Sequence, residues 1–110
     1  KHQTVILDCI TLLVNNLMFT DGIDIDNASE EEINELEAYI QDQIKKLMEE
    51  VKKTDLYFVM VTNEIGLGVV PGYKLGRVYC DFVGRINQML GKLSDEVYFV
   101  VCGIPTKIKG

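Results

Sequence analysis

Three short segments of almost continuous apolar residues are the feature that most constrains the fold of this chain. They cover residues 4–9, 56–61 and 96–102, and longer stretches with helical spacing of apolar residues separate them. Strands that lack an apolar/polar alternation are typical of parallel sheets, whose connecting helices cover both faces. We therefore expect an α/β fold with a mainly parallel sheet covered by helices on both faces, and a short antiparallel terminal strand over 104–109.

Three helical segments separate these strands. Apolar residues recur every three or four positions within 10–19, 29–53 and 75–93. The middle segment begins with a capping box, in which the Ser29 hydroxyl accepts from the amide of Glu32 while the Glu32 carboxylate reaches back to Ser29. Its single apolar stripe predicts a long amphipathic helix that packs by one face and exposes its many acids to solvent.

The composition limits the partners that the chain can bind. Its 110 residues suit one domain, 1–110, and carry 11 Lys and Arg against 17 Asp and Glu, a net charge of −6. This balance argues against binding nucleic acid or an anionic membrane surface, both of which need clustered cations. Three dispersed cysteines indicate no disulfide framework and fit a reducing cytoplasm. No apolar run approaches the roughly 20 residues of a membrane span, and the single histidine, His2, has no partner at zinc-ligand spacing.

Polar residues follow each predicted strand at its carboxyl end, where open parallel sheets bind ligands. Asp8 ends the first strand, the segment 62–64 follows the second, and 102–103 follows the third. Asp8 and Glu64 are the candidates for holding Mg²⁺ or moving a proton. An apolar strand that ends in Asp has the form of the Mg²⁺-holding acid of P-loop nucleotide hydrolases. The alternative, which is commoner for so short a motif, is that Asp8 only caps the next helix.

Two further features each have two open interpretations. The Gly-rich segment 65–72 lacks the spacing of a dinucleotide-binding loop, and it is either a loop that lies over a ligand or an ordinary surface loop. Arg77, Asp81 and Arg85 stand four residues apart on one helix face. They form either a solvated row of ion pairs or a surface from which one arginine reaches a phosphate.

Several motifs together resemble one enzyme family. The most specific is TNEIGLGVVP over 62–71, followed on the next helix by an Arg, an Asp, a Gly and an Asn-Gln pair. The matching positions are Thr62 to Pro71, Arg77, Asp81, Gly84, Asn87, Gln88 and Asp95 to Val97, together with Asp8 to Thr11, Asn16, Leu17 and Gly103 to Lys109. On these residues the chain resembles the bifunctional adenosylcobinamide kinase / adenosylcobinamide-phosphate guanylyltransferase family of cobalamin biosynthesis.

The resemblance implies a P-loop NTPase domain of the RecA-like type that uses GTP and Mg²⁺. Such enzymes phosphorylate the aminopropanol hydroxyl of adenosylcobinamide, and then pass GMP through an enzyme histidine to the phosphorylated corrinoid. Asp8 would hold Mg²⁺ through water and, with Thr11, would face the nucleotide. The crevice for corrinoid or phosphate would be lined by Asn63, Glu64, Gly66, Gly68 and Arg77, with Glu64 as the catalytic candidate whose role is left open. Members are commonly homotrimers.

The sequence also departs from the family's pattern. It holds no Gly-x-x-x-x-Gly-Lys-Ser/Thr loop, His2 does not occupy the motif of the guanylylated histidine, and Cys80 stands where arginine is usual. The chain also lacks an initiator Met, so we expect the carboxyl-terminal part of a larger nucleotide-binding domain, inactive by itself. Without the P-loop strand, which would pair beside the Asp8 strand, unpaired backbone groups predict self-association or pairing with another chain. The alternatives are a non-catalytic α/β module that binds a nucleotide or corrinoid, and an assembly subunit that acts through the helix 29–53.

Overall fold

The computed structural model describes residues 3–20, 22–64 and 73–110. Within these ranges strands and helices follow one another in the order that the apolar pattern predicts. The elements are β1 (Thr4–Asp8), α1 (Ile10–Met18), a 3-10 turn (Ile25–Asn27), α2 (Glu30–Lys52), β2 (Tyr57–Val61), α3 (Lys74–Leu93), β3 (Val97–Val101) and β4 (Ile104–Lys109). No helix in the described ranges is long and apolar enough to cross a membrane.

The strands form one parallel and one antiparallel pair. β1 lies parallel to β2, in a register that places Thr4 beside Tyr57 and Asp8 beside Val61. β3 and β4 form an antiparallel hairpin, and its two turn residues, Cys102 and Gly103, have φ of 52° and 75°. Positive φ at both central residues is what a two-residue hairpin turn of type I′ requires. The mixed α/β class and the antiparallel terminal strand are therefore confirmed.

The expectation of one mainly parallel sheet covered on both faces needs correction. Among the described residues, β3 pairs with β4 and not with β2, so there are two two-stranded sheets. The strands are also more exposed than their apolar sequences predict, since Ile6 is 64% and Val100 58% exposed. The physical reason is that an apolar run favours a buried strand without specifying its neighbour. A two-residue turn, by contrast, lets β3 pair with β4 at a small entropic cost of loop closure.

The core lies between the three helices rather than within a sheet. Each helix contributes one buried apolar stripe at three- and four-residue spacing, as its sequence predicts. The buried apolar cluster consists of Ile10, Val14, Met18, Ile25, Leu36, Ile40, Ile44, Met48, Phe82, Val83, Ile86 and Leu90. Leu7 of β1 and Met60 of β2 are partly buried against this cluster. These two side chains, one on each strand, therefore attach the parallel pair to the helices.

Specific polar contacts fix the ends and the packing of the helices. Ser29 and Glu32 form the predicted capping box, with both hydrogen bonds at 3.1 Å. Glu37 of α2 accepts two hydrogen bonds from Arg85 of α3, and these join the two helices side by side. The Lys109 ammonium donates to the carbonyls of Gly91 and Lys92 at 2.8 and 3.0 Å. That last contact satisfies free carbonyls at the carboxyl end of α3 and attaches the hairpin to this helix.

Candidate functional site

The carboxyl ends of β1 and β2 meet at one edge of the parallel pair. Asp8 lies beside Val61 in the register, and the chain continues from Val61 into the exposed segment 62–64. Asp8 itself is exposed. Asp8 therefore ends β1 at the same edge at which the segment that carries Glu64 leaves β2, as the strand-end rule predicts.

Asp8 does not cap α1. The N-cap residue of this helix is Cys9, and no side chain makes a capping hydrogen bond there. The Asp8 carboxylate is thus not needed to satisfy the first amides of α1. Of the two interpretations of Asp8, the helix-cap alternative is wrong, and an exposed acid at the strand end remains. Such an acid suits Mg²⁺, which is commonly bound through one or two carboxylates, several waters and the phosphates of a substrate.

Thr11 lies buried behind this edge, in the first turn of α1. Its hydroxyl is 2.9 Å from the Cys9 thiol, and its carbonyl accepts a 2.9 Å hydrogen bond from the Tyr79 hydroxyl. Burial, followed by the nearby thiols of Cys9 and Cys80, raises the pKa of Tyr79. Tyr79 therefore keeps its proton and acts as a donor that joins α3 to the start of α1. Thr11 stays a predicted nucleotide contact.

Asn87 of α3 holds the segment that follows β2. Its side-chain Oδ1 accepts a 2.6 Å hydrogen bond from the Thr62 hydroxyl. Its Nδ2 donates to the Asn63 carbonyl oxygen at 3.1 Å and to Glu64 Oε1 at 3.2 Å. One helical side chain thus forms hydrogen bonds with three consecutive residues, including the Glu64 carboxylate.

The remaining predicted site residues lie elsewhere. Arg77 is exposed in the first turn of α3, and Gly66 and Gly68 lie outside the described residues. Arg85, which the sequence placed in one row with Arg77 and Asp81, instead binds Glu37 of α2. This hydrogen bond is the main cause that raises the pKa of Arg85. Arg85 therefore has a structural contact between helices, and Arg77 is the arginine of the row that stays a candidate for phosphate.

A pocket of about 240 Å³ opens between α1 and the amino end of α3. Its walls are mainly aromatic and aliphatic. They are formed by Asn15, Phe19, Tyr73, Leu75, Gly76 and Tyr79. Tyr79 also donates to the Thr11 carbonyl, so the pocket borders the contact that fixes the start of α1. In the part of the chain that the structure describes, no group of three or more His, Cys, Asp or Glu could hold a metal ion by itself.

The sequence of this chain matches that of known enzymes over nearly its whole length. The profile of the cobinamide kinase / cobinamide phosphate guanyltransferase family matches residues 1–108. The chain belongs to this family. The resemblance carried by the motif over 62–71 and by Asn87-Gln88 is thereby confirmed.

Three bacterial relatives of this chain are bifunctional adenosylcobalamin biosynthesis proteins. The chain is 39% identical over 108 residues to the bifunctional adenosylcobalamin biosynthesis protein CobU of Escherichia coli and 40% identical over 107 residues to that of Salmonella typhimurium. It is 30% identical over 108 residues to the bifunctional protein CobP of Pseudomonas aeruginosa. The matches cover 97–98% of this chain. The chain spans 59% of the length of the two CobU proteins and 54% of CobP.

Sequence reasoning did not place Asn87 in the site, although Asn87-Gln88 formed part of the family motif. The available signal was chemical. A carboxamide on an amphipathic helix that packs by an apolar stripe has no role in that stripe, and an amide that is half-buried needs hydrogen-bond partners in place of water. Its partners lie 23 to 25 residues earlier in the chain. Only the packing of α3 beside β2 shows which residues these are.

Proposed function

We propose that this chain forms the carboxyl-terminal part of a cobinamide kinase / cobinamide phosphate guanylyltransferase domain. The activity of the whole enzyme would be GTP-dependent phosphorylation of adenosylcobinamide, followed by transfer of GMP to adenosylcobinamide phosphate. The observation that carries the proposal is the meeting of Asp8 and the segment 62–64 at one sheet edge, in a chain of this family. The domain would be of the P-loop NTPase, RecA-like type, located in the cytoplasm and assembled as a homo-oligomer, a trimer by analogy with the family.

The Asp8 side of the edge would face Mg²⁺ and GTP. Asp8 is an exposed carboxylate with no part in capping α1, and an acid of this kind can hold Mg²⁺ through water beside the phosphates. Arg77 would supply a cation to a phosphate, since a guanidinium suits phosphate oxygens. Thr11 would contact the nucleotide only if its hydroxyl exchanges the Cys9 thiol for the ligand, because that hydroxyl is now hydrogen-bonded and buried.

The Glu64 side of the edge would face the corrinoid. Asn63 and Glu64 are exposed there, and Gly66 and Gly68 would continue this crevice. Glu64 is the proposed catalytic group because a carboxylate can accept the proton that the aminopropanol hydroxyl loses when it attacks a phosphoryl group. A carboxylate can equally orient that hydroxyl without taking its proton, and the role of Glu64 is to be assigned by experiment.

The 110 residues contain neither the phosphate-binding loop nor a histidine in the motif that carries GMP. Because the loop supplies the amides and lysine that cradle the phosphates, we expect no turnover by residues 1–110 alone. Binding is the function that this chain can be tested for. Adenosylcobinamide would bind at Glu64, and GTP with Mg²⁺ would bind weakly at Asp8.

The test is equilibrium dialysis of adenosylcobinamide and of GTP with Mg²⁺ against the 110-residue chain. Asp8→Asn should weaken GTP binding in the presence of Mg²⁺ and leave adenosylcobinamide binding nearly unchanged. Glu64→Gln should weaken adenosylcobinamide binding and leave GTP binding nearly unchanged. Asp42→Asn is the matched control, because it removes the same charge from an exposed position on α2. GTP and corrinoid binding that neither variant alters would instead favour a binding module that uses another surface. Binding of a partner protein that is lost on charge reversal of α2 would favour the assembly-subunit alternative.

A further inference from the structure

One polar side chain of the helical region makes all of its described contacts with the proposed site. Asn87 lies between the buried Ile86 and the exposed Gln88 on α3 and is itself half-buried. Its three hydrogen bonds join it to Thr62, Asn63 and Glu64. A residue that served only to extend an amphipathic helix would have no need of such partners.

The chemistry of these contacts requires an amide. The Asn63 carbonyl and the Glu64 carboxylate can only accept, which fixes the amino group of Asn87 on their side, where its two protons reach Asn63 O and Glu64 Oε1. The opposite end is then Oδ1, which accepts from the Thr62 hydroxyl at 2.6 Å. Aspartate would keep the shape but lose both donors, and it would bring a second negative charge beside Glu64. The two N–H donors and the acceptor oxygen of the Asn87 side chain thus each have one hydrogen-bond partner.

Asn87 forms hydrogen bonds with the segment 62–64, which lies beyond the end of the strand pairing. The described pairing of β1 with β2 ends at Asp8 and Val61, and residues 62–64 are exposed beyond it. A carboxylate on such a segment has side-chain and backbone freedom that binding a substrate would have to remove. A hydrogen bond from a neutral amide to a carboxylate restricts this freedom without neutralising the charge.

We propose that Asn87 is the positioning residue for Glu64: it fixes the exit of β2 and one carboxylate oxygen, Oε1, and leaves Oε2 for the corrinoid substrate. This inference rests on the proposed function of Glu64. Asn87 acts through Glu64 and does not itself contact the reacting atoms. Its removal should therefore affect the substrate only while the Glu64 carboxylate is present.

The first measurement uses the ligand-free 110-residue chain. Nitrogen-15 relaxation should give backbone order parameters for 62–64 typical of ordered structure in the wild type, and values approaching those of flexible loops, below about 0.6, in Asn87→Ala. Asn87→Asp is the second variant, since it preserves the shape of the side chain if Asn87→Ala does not fold. Gln88→Ala, one residue further along the same helix and exposed, should change none of these values. Unchanged order at 62–64 in both Asn87 variants overturns the proposal.

The second measurement is a double-mutant cycle on adenosylcobinamide affinity. Asn87→Ala should weaken binding roughly tenfold, the effect of losing one hydrogen bond to a charged group. The same substitution in a Glu64→Ala background should change affinity less than about twofold, because the group that it positions is gone. An equal loss in both backgrounds shows a purely structural role and overturns the positioning proposal.

The two proposals fail in distinguishable ways. A wild-type chain that binds no adenosylcobinamide, or one in which Glu64→Ala has no effect, contradicts the proposed function of Glu64. The order parameters of 62–64 then decide by themselves whether Asn87 holds this segment. A loss of affinity with Glu64→Ala but none with either Asn87 variant leaves the proposed function standing and refutes the positioning.

Discussion

The hydrogen-bonded ion pair between Arg85 and Glu37 should contribute measurably to the stability of the helical core. Two nitrogens of the guanidinium bind the carboxylate, with Nη2 donating to Oε1 at 2.8 Å and Nε donating to Oε2. Gln41 also donates to Oε2 at 3.0 Å. Two-point contacts of this kind are stronger and more directional than a lysine–carboxylate pair. Replacing Arg85 by methionine removes the charge and both donors while keeping most of the aliphatic stem.

The magnitude follows from how far the pair is withdrawn from water. The side chain of Glu37 is 13% exposed and that of Arg85 50%. Exposed pairs contribute about 0.2–1 kcal/mol, and breaking a fully buried pair costs about 3–5 kcal/mol. Because one partner is largely buried and the other half-exposed, we expect Arg85→Met to lower the free energy of unfolding by about 1–2 kcal/mol. The hydrogen bond to Glu37 raises the pKa of Arg85, so the guanidinium stays charged and the effect should be constant across neutral pH.

The assay is urea unfolding followed by far-ultraviolet circular dichroism. Lys53→Met is the matched control, because Lys53 and its partner Glu50 are 70% and 71% exposed and lie three residues apart, so their ion pair does not join two helices. The control should cost less than about 0.5 kcal/mol. If Arg85→Met costs no more than Lys53→Met, the pair does not hold α2 and α3 together and the reasoning from burial is refuted.

Three further outcomes can be checked on the same chain. Ser29→Ala should lower the free energy of unfolding by about 1 kcal/mol, because the capping box at the start of α2 is lost; urea unfolding that is unchanged would contradict this. Burial raises the pKa of Tyr79 above the ordinary tyrosine value of 10.0, so its stabilising contribution is present below that value and is lost as pH rises through the higher folded-state pKa. The alkaline fall in urea stability should accordingly be smaller in Tyr79→Phe, and identical pH profiles would disprove the link. The exposed apolar strands predict self-association. Sedimentation should therefore show oligomers at micromolar concentration, and fewer of them for Val100→Lys. A well-folded wild-type monomer at this concentration would contradict the prediction.

The helices could be predicted because their signals are local. Ser29 and Glu32 are three residues apart, and the buried stripe of α2 repeats within single turns. A chain segment carries such patterns wherever it packs. The strands could be located for the same reason, but their partners could not, because pairing joins residues that are distant in sequence. β3 therefore bonds to the adjacent β4 and not to the expected neighbour β2.

The residues of the candidate site could be predicted to the same extent. Asp8 and Glu64 follow from a general rule about the ends of parallel strands, and the register of β1 with β2 brings their two segments to one edge. Asn87 could not be assigned from sequence, since its contacts depend on where α3 packs beside that edge. The row of Arg77 and Arg85 illustrates the converse. Helical spacing shows which charges share a face, but the tertiary partner Glu37 decides what Arg85 does.

We propose that Asp8 and the segment 62–64 form one site for a metal-bound nucleotide beside the corrinoid. The most direct measurement is paramagnetic line broadening in the nuclear magnetic resonance spectrum of the 110-residue chain on addition of GTP with Mn²⁺ in place of Mg²⁺. We predict that amides near Asp8 and amides of 62–64 broaden together, and that Asp8→Asn abolishes the broadening of both. Broadening confined to the acidic start of α2, at Glu30, Glu31 and Glu32, or unaffected by Asp8→Asn, would contradict it.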